Sequence, residues 1–164
     1  MYIRDQKTSL ALVADRKKLD YFHQGFTKVS CNTTAYSAYC SMTNDGPAWL
    51  QAAFWIRDKF SSLAKVESIQ GFNNKVLNAP PKVGEKLDFF DVLKISKEEL
   101  LLISSDRHLS VLIAINISID ERGDFILKIT ASVKNKNLFG YLYMLPVKPA
   151  HAFIVNKMLD KVRR

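Results

Sequence analysis

The sequence predicts an α+β fold in which an antiparallel β-sheet grips a long C-terminal helix. Three observations predict it. Leu109, Val111, Ile113, Ile115, Ile117 and Ile119 alternate with Ser110, Leu112, Ala114, Asn116 and Ser118, and this period of two marks a strand with one face on a core and one nearer water. Short turn-like breaks separate that run from neighbouring strand-like runs. After Pro149, Ala150, Ile154, Val155, Met158 and Val162 recur at helical spacing and form a stripe that the sheet can bury.

Residues 1–18 form a polar lead-in that is expected to be mobile, and residues 19–164 form a single domain. The aromatic-rich LDYFHQGFTKVS (residues 19–30) reads as the first strand. NTTAYSAYCSM (32–42) reads as a short helix capped by Asn32 or Thr33. A second helix is expected from NDGPAWLQAAFWIRDKF, with Asp45 or Gly46 as cap and Pro47 in its first turn. Trp49, Ala52, Ala53, Ile56, Phe60 and Leu63 share one arc of it, while Phe54 and Trp55 fall outside. The turn-rich residues 71–86 form a long connection. Four strands follow in KLDFFDVLKIS, EELLLISS, HLSVLIAINISID and DFILKITASV, with KEE and ERG as turns. The closing helix contains Pro146 and Pro149, which should kink it or split it.

A chain of 164 residues, with 48% hydrophobic and 24% charged residues, can bury one sizeable core. The longest apolar-rich run, 109–119, is broken by Ser110, Asn116 and Ser118, and falls short of a membrane span. LALVA near the N-terminus is too short for a secretory signal and is flanked by Asp5 and Asp15, so a cytoplasmic location is the expectation. Cys31 and Cys40 match no zinc spacing and are read as ordinary thiols, with no metal and no cofactor expected. The net charge of +8 favours anionic partners. Its lysines and arginines are scattered and lack interleaved aromatics, so no nucleic-acid partner is expected.

Three motifs carry a resemblance. They are WLQAAFWIRDKF (49–60), DRHL (106–109) and LFGYLYMLPVKPAHAFIVNKML (138–159). In this order they resemble the bacterial family DUF2867, a domain of unknown function, over roughly residues 20–162. Tyr141 departs from the arginine common at that position, which puts an anion-binding role there in doubt. The family is similar in outline to the START-like, helix-grip superfamily of lipid carriers, cyclases and ligand binders. The resemblance implies a pocket for a hydrophobic ligand between sheet and helix. Some relatives are fused to a nicotinamide-binding domain, whose glycine-rich fingerprint this chain lacks.

Asp106, Arg107 and His108 invite a catalytic reading. If the strand is already extended at residue 107, however, Arg107 shares a face with Leu109 and Val111 while its two neighbours point away. Such side chains do not converge on one atom, and no serine or cysteine nucleophile has a recognisable setting. Arg107 would then be either a structural ion-pair partner of Asp58, Asp88 or Asp91, or a cavity-rim group for a carboxylate or phosphate. His151 lies on the apolar stripe of the closing helix, as a core histidine or a pocket-lining one. The expected ligand site comprises Arg107, His151, Trp49, Arg57, Tyr141, Ile113 and Ile115. The leading reading is non-catalytic binding of a hydrophobic or amphipathic small molecule. Two alternatives stand beside it. One is a cyclase- or isomerase-type enzyme with His151 as general acid/base. The other is a module that touches proteins or, weakly, an anionic membrane surface.

Overall fold

The computed structural model describes residues 2–5, 9–44 and 79–164. The helix expected over Pro47–Ala64, with Trp49, Phe54, Trp55 and Arg57, lies outside them. Among the described residues there are two helices and two sheets.

A small hairpin pairs β1 (Ile3–Arg4) with β2 (Ala11–Leu12). The main sheet has six antiparallel strands in the order β3-β8-β7-β6-β5-β4. These are β3 (Tyr21–Lys28), β4 (Lys86–Leu87), β5 (Phe90–Ile95), β6 (Glu99–Ser105), β7 (Leu109–Ile119) and β8 (Phe125–Asn135). The expected strand at 86–96 is divided by a turn at Asp88, whose φ is +54°. The chain closes with α2 (Leu138–Asp160), and α1 (Ala35–Thr43) precedes the described β4.

Register fixes the faces. Tyr21 pairs with Val133, His23 with Ala131 and Gly25 with Ile129, while Val111, Ile113 and Ile115 pair with Val133, Ala131 and Ile129 from the other side. These residues share the inner face because strand side chains alternate. The main core forms here, where Ile115, Leu127, Ile129, Leu100, Leu102 and Val92 meet Ala38 and Met42 of α1 and Val155 and Leu159 of α2. The odd-numbered face of β7 and the stripe of α2 therefore bury each other, as the alternation predicts.

The outer face differs from expectation. Leu112 and Ala114 are fully buried there, beside Leu101 and Ile103, under Ala11, Tyr2 and Val13. The segment read as a polar lead-in thus supplies a lid of Leu10, Ala11 and Leu12, all buried. Polar contacts fasten it. Both Glu99 carboxylate oxygens accept from Arg4 Nη2 at 3.0 and 3.1 Å, and Glu99 also accepts from Lys94 and from Asn116. Val13 N donates to Ser132 Oγ at 3.1 Å, and the Arg16 guanidinium sits 4.1 Å from the centre of the Phe22 ring. Burial alone would raise the Glu99 pKa. The hydrogen bonds from Lys94 and Arg4 outweigh it and hold the carboxyl below its usual range.

Two local details correct the sequence reading. Helix α1 is capped by Thr34, because Ser37 three residues on can close a reciprocal capping box with it. Helix α2 is one helix through Pro146 and Pro149 and is not split into two pieces. Both prolines are exposed, so the ring and the carbonyl left without an N–H donor face away from the sheet.

Candidate functional site

The Asp106–His108 stretch is a hairpin turn, and β7 begins only at Leu109. The assumption of extended backbone at residue 107 therefore fails. Asp106 Oδ1 accepts from His108 N at 2.6 Å and from Leu109 N at 2.9 Å, and this side-chain turn replaces the strand geometry. Arg107 is exposed, and its Nε donates to His108 Nε2 at 2.9 Å. His108 is buried, not at the surface. Its Nδ1 lies 2.9 Å from Asn137 Nδ2 and 3.1 Å from Asn137 Oδ1, and its ring packs 4.6 Å from that of Phe139. Asn137 Oδ1 also accepts from Gly140 N, capping α2. The DRH motif thus clamps the β6–β7 hairpin to the start of α2. About 20 Å of helix, at 1.5 Å per residue, separates this clamp from His151.

The other expected site residues are dispersed. Ile115 is fully buried in the core, and Ile113 is half-buried on the same face. Tyr141 is half-exposed, and its hydroxyl bonds the Asp20 carboxylate. Asp20 also accepts from Lys134 Nζ at 2.9 Å and Asn135 N at 2.7 Å. Burial would raise the Asp20 pKa, but these hydrogen bonds outweigh it and leave the net shift downward. Trp49 and Arg57 lie outside the described residues.

His151 does meet other polar groups, which the sequence reading had not selected. It faces Tyr21 and His23 on β3. The His151 ring lies edge-on to Tyr21 at 5.4 Å and to His23 at 5.9 Å between centroids. The Tyr21 hydroxyl is 3.4 Å from His151 Nδ1 and 3.5 Å from Lys148 O. Burial first, then the neighbouring His23, lowers the His151 pKa to about 4, so its imidazole is neutral at pH 7. Burial also raises the Tyr21 phenol above its ordinary value.

His23 Nε2 is buried without a hydrogen-bond partner. So are both amide atoms of Asn135, a residue only 4% exposed. By strand parity both side chains belong to the inner face. Asn135 lies four β8 residues beyond Ala131, the register partner of His23, which is about 13 Å along the strand. The two unsatisfied groups therefore face different parts of α2, Asn135 its first turn near Gly140 and His23 the turn that carries His151. Below them the interface is closed, because a Cβ on Gly25 would fall 2.7 Å from Leu159 Cδ1. A separate open depression of about 320 Å³ lies at the far end of β3, lined by Lys28, Cys31, Asp124 and Arg164 among others.

The signal for Tyr21, His23 and Asn135 was present in the parity of β3 and β8. Each is a polar-tipped side chain on the face that is otherwise apolar. What the sequence lacks is the pairing register that brings β3 beside β8.

The model of a protein of unknown function, DUF2867, matches residues 17–158. The chain belongs to the DUF2867 family. No curated protein matches. Among solved structures, the chain is similar to a hypothetical protein from Helicobacter pylori, at 12% identity, covering 96% of this chain and 97% of that one with a TM-score of 0.42.

Proposed function

We propose that this DUF2867 domain binds an amphipathic small molecule between the inner face of β3–β8 and α2, along the stretch from Gly140 to His151, without transforming it. The observation that carries the reading is the pair of buried polar groups without a hydrogen-bond partner, His23 Nε2 and the side-chain amide of Asn135. Leaving such groups unpaired costs about 1–3 kcal/mol each, so a partner that supplies their hydrogen bonds gains correspondingly. By register the side chains between them on the inner face are apolar, from Val111, Ile113 and Val133. A ligand with polar atoms at two points and an apolar body between them suits this arrangement. The neutral His151 imidazole and the Tyr21 phenol favour an uncharged hydroxyl or carbonyl head over a carboxylate. Arg107, the expected acid-binding group, is exposed on the hairpin turn and remote from His151 and Tyr21. A START-like carrier working in a bacterial cytoplasm is the setting this reading implies.

Native mass spectrometry of protein purified without a denaturing step tests it. Stoichiometric extra mass, lost in folded His23→Leu and Asn135→Leu variants, is the expected result. Wild-type protein that carries no extra mass and gains none from a panel of hydroxylated and carbonyl lipids would refute it.

The enzymatic alternative rests on the same cluster. His151, held 3.4 Å from a phenol, has the contact an acid–base residue needs. Its pKa near 4 makes it a weak base at pH 7, which is why binding is the preferred reading.

A further inference from the structure

The outer side of α2 carries a feature the ligand site does not use. Leu138, Leu142, Leu145 and Phe153 are 74%, 56%, 65% and 55% exposed. At 100° per residue they fall on one side of the helix together with Pro146 and Pro149, opposite Met144, Val155 and Leu159, which are buried. The apolar stripe runs about 22 Å, from Leu138 to Phe153, at 1.5 Å per residue. Within those residues Lys148 is the sole side chain of Asp, Glu, Lys or Arg type. Scattered exposed apolar side chains are ordinary, but a contiguous row is a contact surface.

The charges around it indicate what it contacts. Residues 136–164 hold Lys136, Lys148, Lys157, Lys161, Arg163 and Arg164 against a single acid, Asp160. Lys157 Nζ lies 5.9 Å from the centre of the Phe153 ring, so a cation borders the stripe itself. A second copy would bring two such cationic helices together, which disfavours self-association through this face. An anionic lipid surface satisfies both features. It takes an apolar face at the acyl boundary and basic side chains at the headgroups. By length and composition Leu138–Asp160 could also cross a bilayer. Its inner side, however, is engaged with the sheet through Val155, Leu159 and the Gly140–His108 contact.

We propose that α2 docks the domain peripherally on anionic bilayers, its outer apolar stripe lying in the interface plane with Lys157, which borders Phe153, at headgroup level. The test is flotation with vesicles of phosphatidylcholine alone and of phosphatidylcholine mixed with phosphatidylglycerol. The expected result is binding to the mixed vesicles only, weakened by added salt and released by alkaline carbonate. Leu142→Gln, Leu145→Gln and Phe153→Gln should each weaken it roughly tenfold, since each removes one buried apolar side chain from the interface. These side chains are exposed, so circular dichroism of the variants should match wild type. His23→Leu should leave vesicle binding unchanged, which separates this inference from the ligand site. Equal binding to both vesicle types, resistance to carbonate, or no binding at all would overturn the proposal. So would a dimer in analytical ultracentrifugation that the same substitutions dissolve, because it would assign the stripe to a second copy.

Discussion

Gly140→Ala should destabilise the protein, although glycine-to-alanine changes in helices usually stabilise. Gly140 is the third residue of α2. A Cβ there would lie 2.4 Å from the carbonyl oxygen of His108 and 3.4 Å from Asn135 Cβ. An ordinary carbon–oxygen contact is about 3.3 Å, so the helix or the hairpin must move by ~1 Å. The oxygen cannot yield cheaply, because it accepts from Lys136 N at 2.7 Å. Overpacking of this kind costs about 1–3 kcal/mol, and a strained backbone hydrogen bond adds roughly 0.5–1.5 kcal/mol. The gain in helix propensity is at most about 1 kcal/mol. The net expectation is a loss of about 1–3 kcal/mol, or a Tm lowered by roughly 3–10 °C for a domain of this size. Thermal and urea unfolding followed by circular dichroism measure it, with exposed Asn156→Ala on the same helix as the control. A Gly140→Ala variant as stable as wild type, or more stable, would refute the clamp between the DRH hairpin and α2.

Further predictions follow from the same contacts. Asn137→Ala removes the α2 cap and the His108 contact together, and urea unfolding should show a loss of about 1–2 kcal/mol. His23→Leu removes a buried orphan nitrogen, so in ligand-free protein Tm should hold or rise even as ligand binding is lost. The His151 pKa lies near 4 in the fold, against 6.5 when unconstrained, so the unfolded chain takes up a proton that the folded one refuses. Stability is therefore fully present above pH 6.5 and falls as pH drops from 6.5 to about 4, by roughly 3 kcal/mol. His151→Leu should flatten that interval in unfolding curves. Asp20 and Glu99, both depressed, lose their contributions lower down, as pH falls through their folded values. Glu99→Gln should loosen the N-terminal hairpin, seen as faster amide exchange at Leu12 and Val13 with little change in β7 and β8.

The sheet and the closing helix were legible because the cues are local. Period two in β7 and β8 and the turn residues between them need no partner to be recognised. The N-terminal hairpin was not legible, because two-residue strands carry no periodicity. Ala11 and Leu12 reveal their burial only through the outer face of β6 and β7. Arg107 was misplaced for a related reason. Parity was carried back past Leu109 into residues that Asp106 draws into a turn, so one side-chain hydrogen bond pattern overrode the alternation. His151 was recognised as a polar group on an apolar stripe. Its neighbours Tyr21 and His23 come from the opposite end of the chain, and only the β3–β8 register brings them to it.

In the proposed site, His23 Nε2 and the Asn135 amide take their hydrogen bonds from a bound ligand. A high-resolution crystal structure of natively purified protein tests it most directly. The account predicts non-water density beneath α2, with polar atoms about 2.7–3.2 Å from His23 Nε2 and from the Asn135 amide. Ordered water alone on both groups, or side chains turned to pair within the protein, would contradict it.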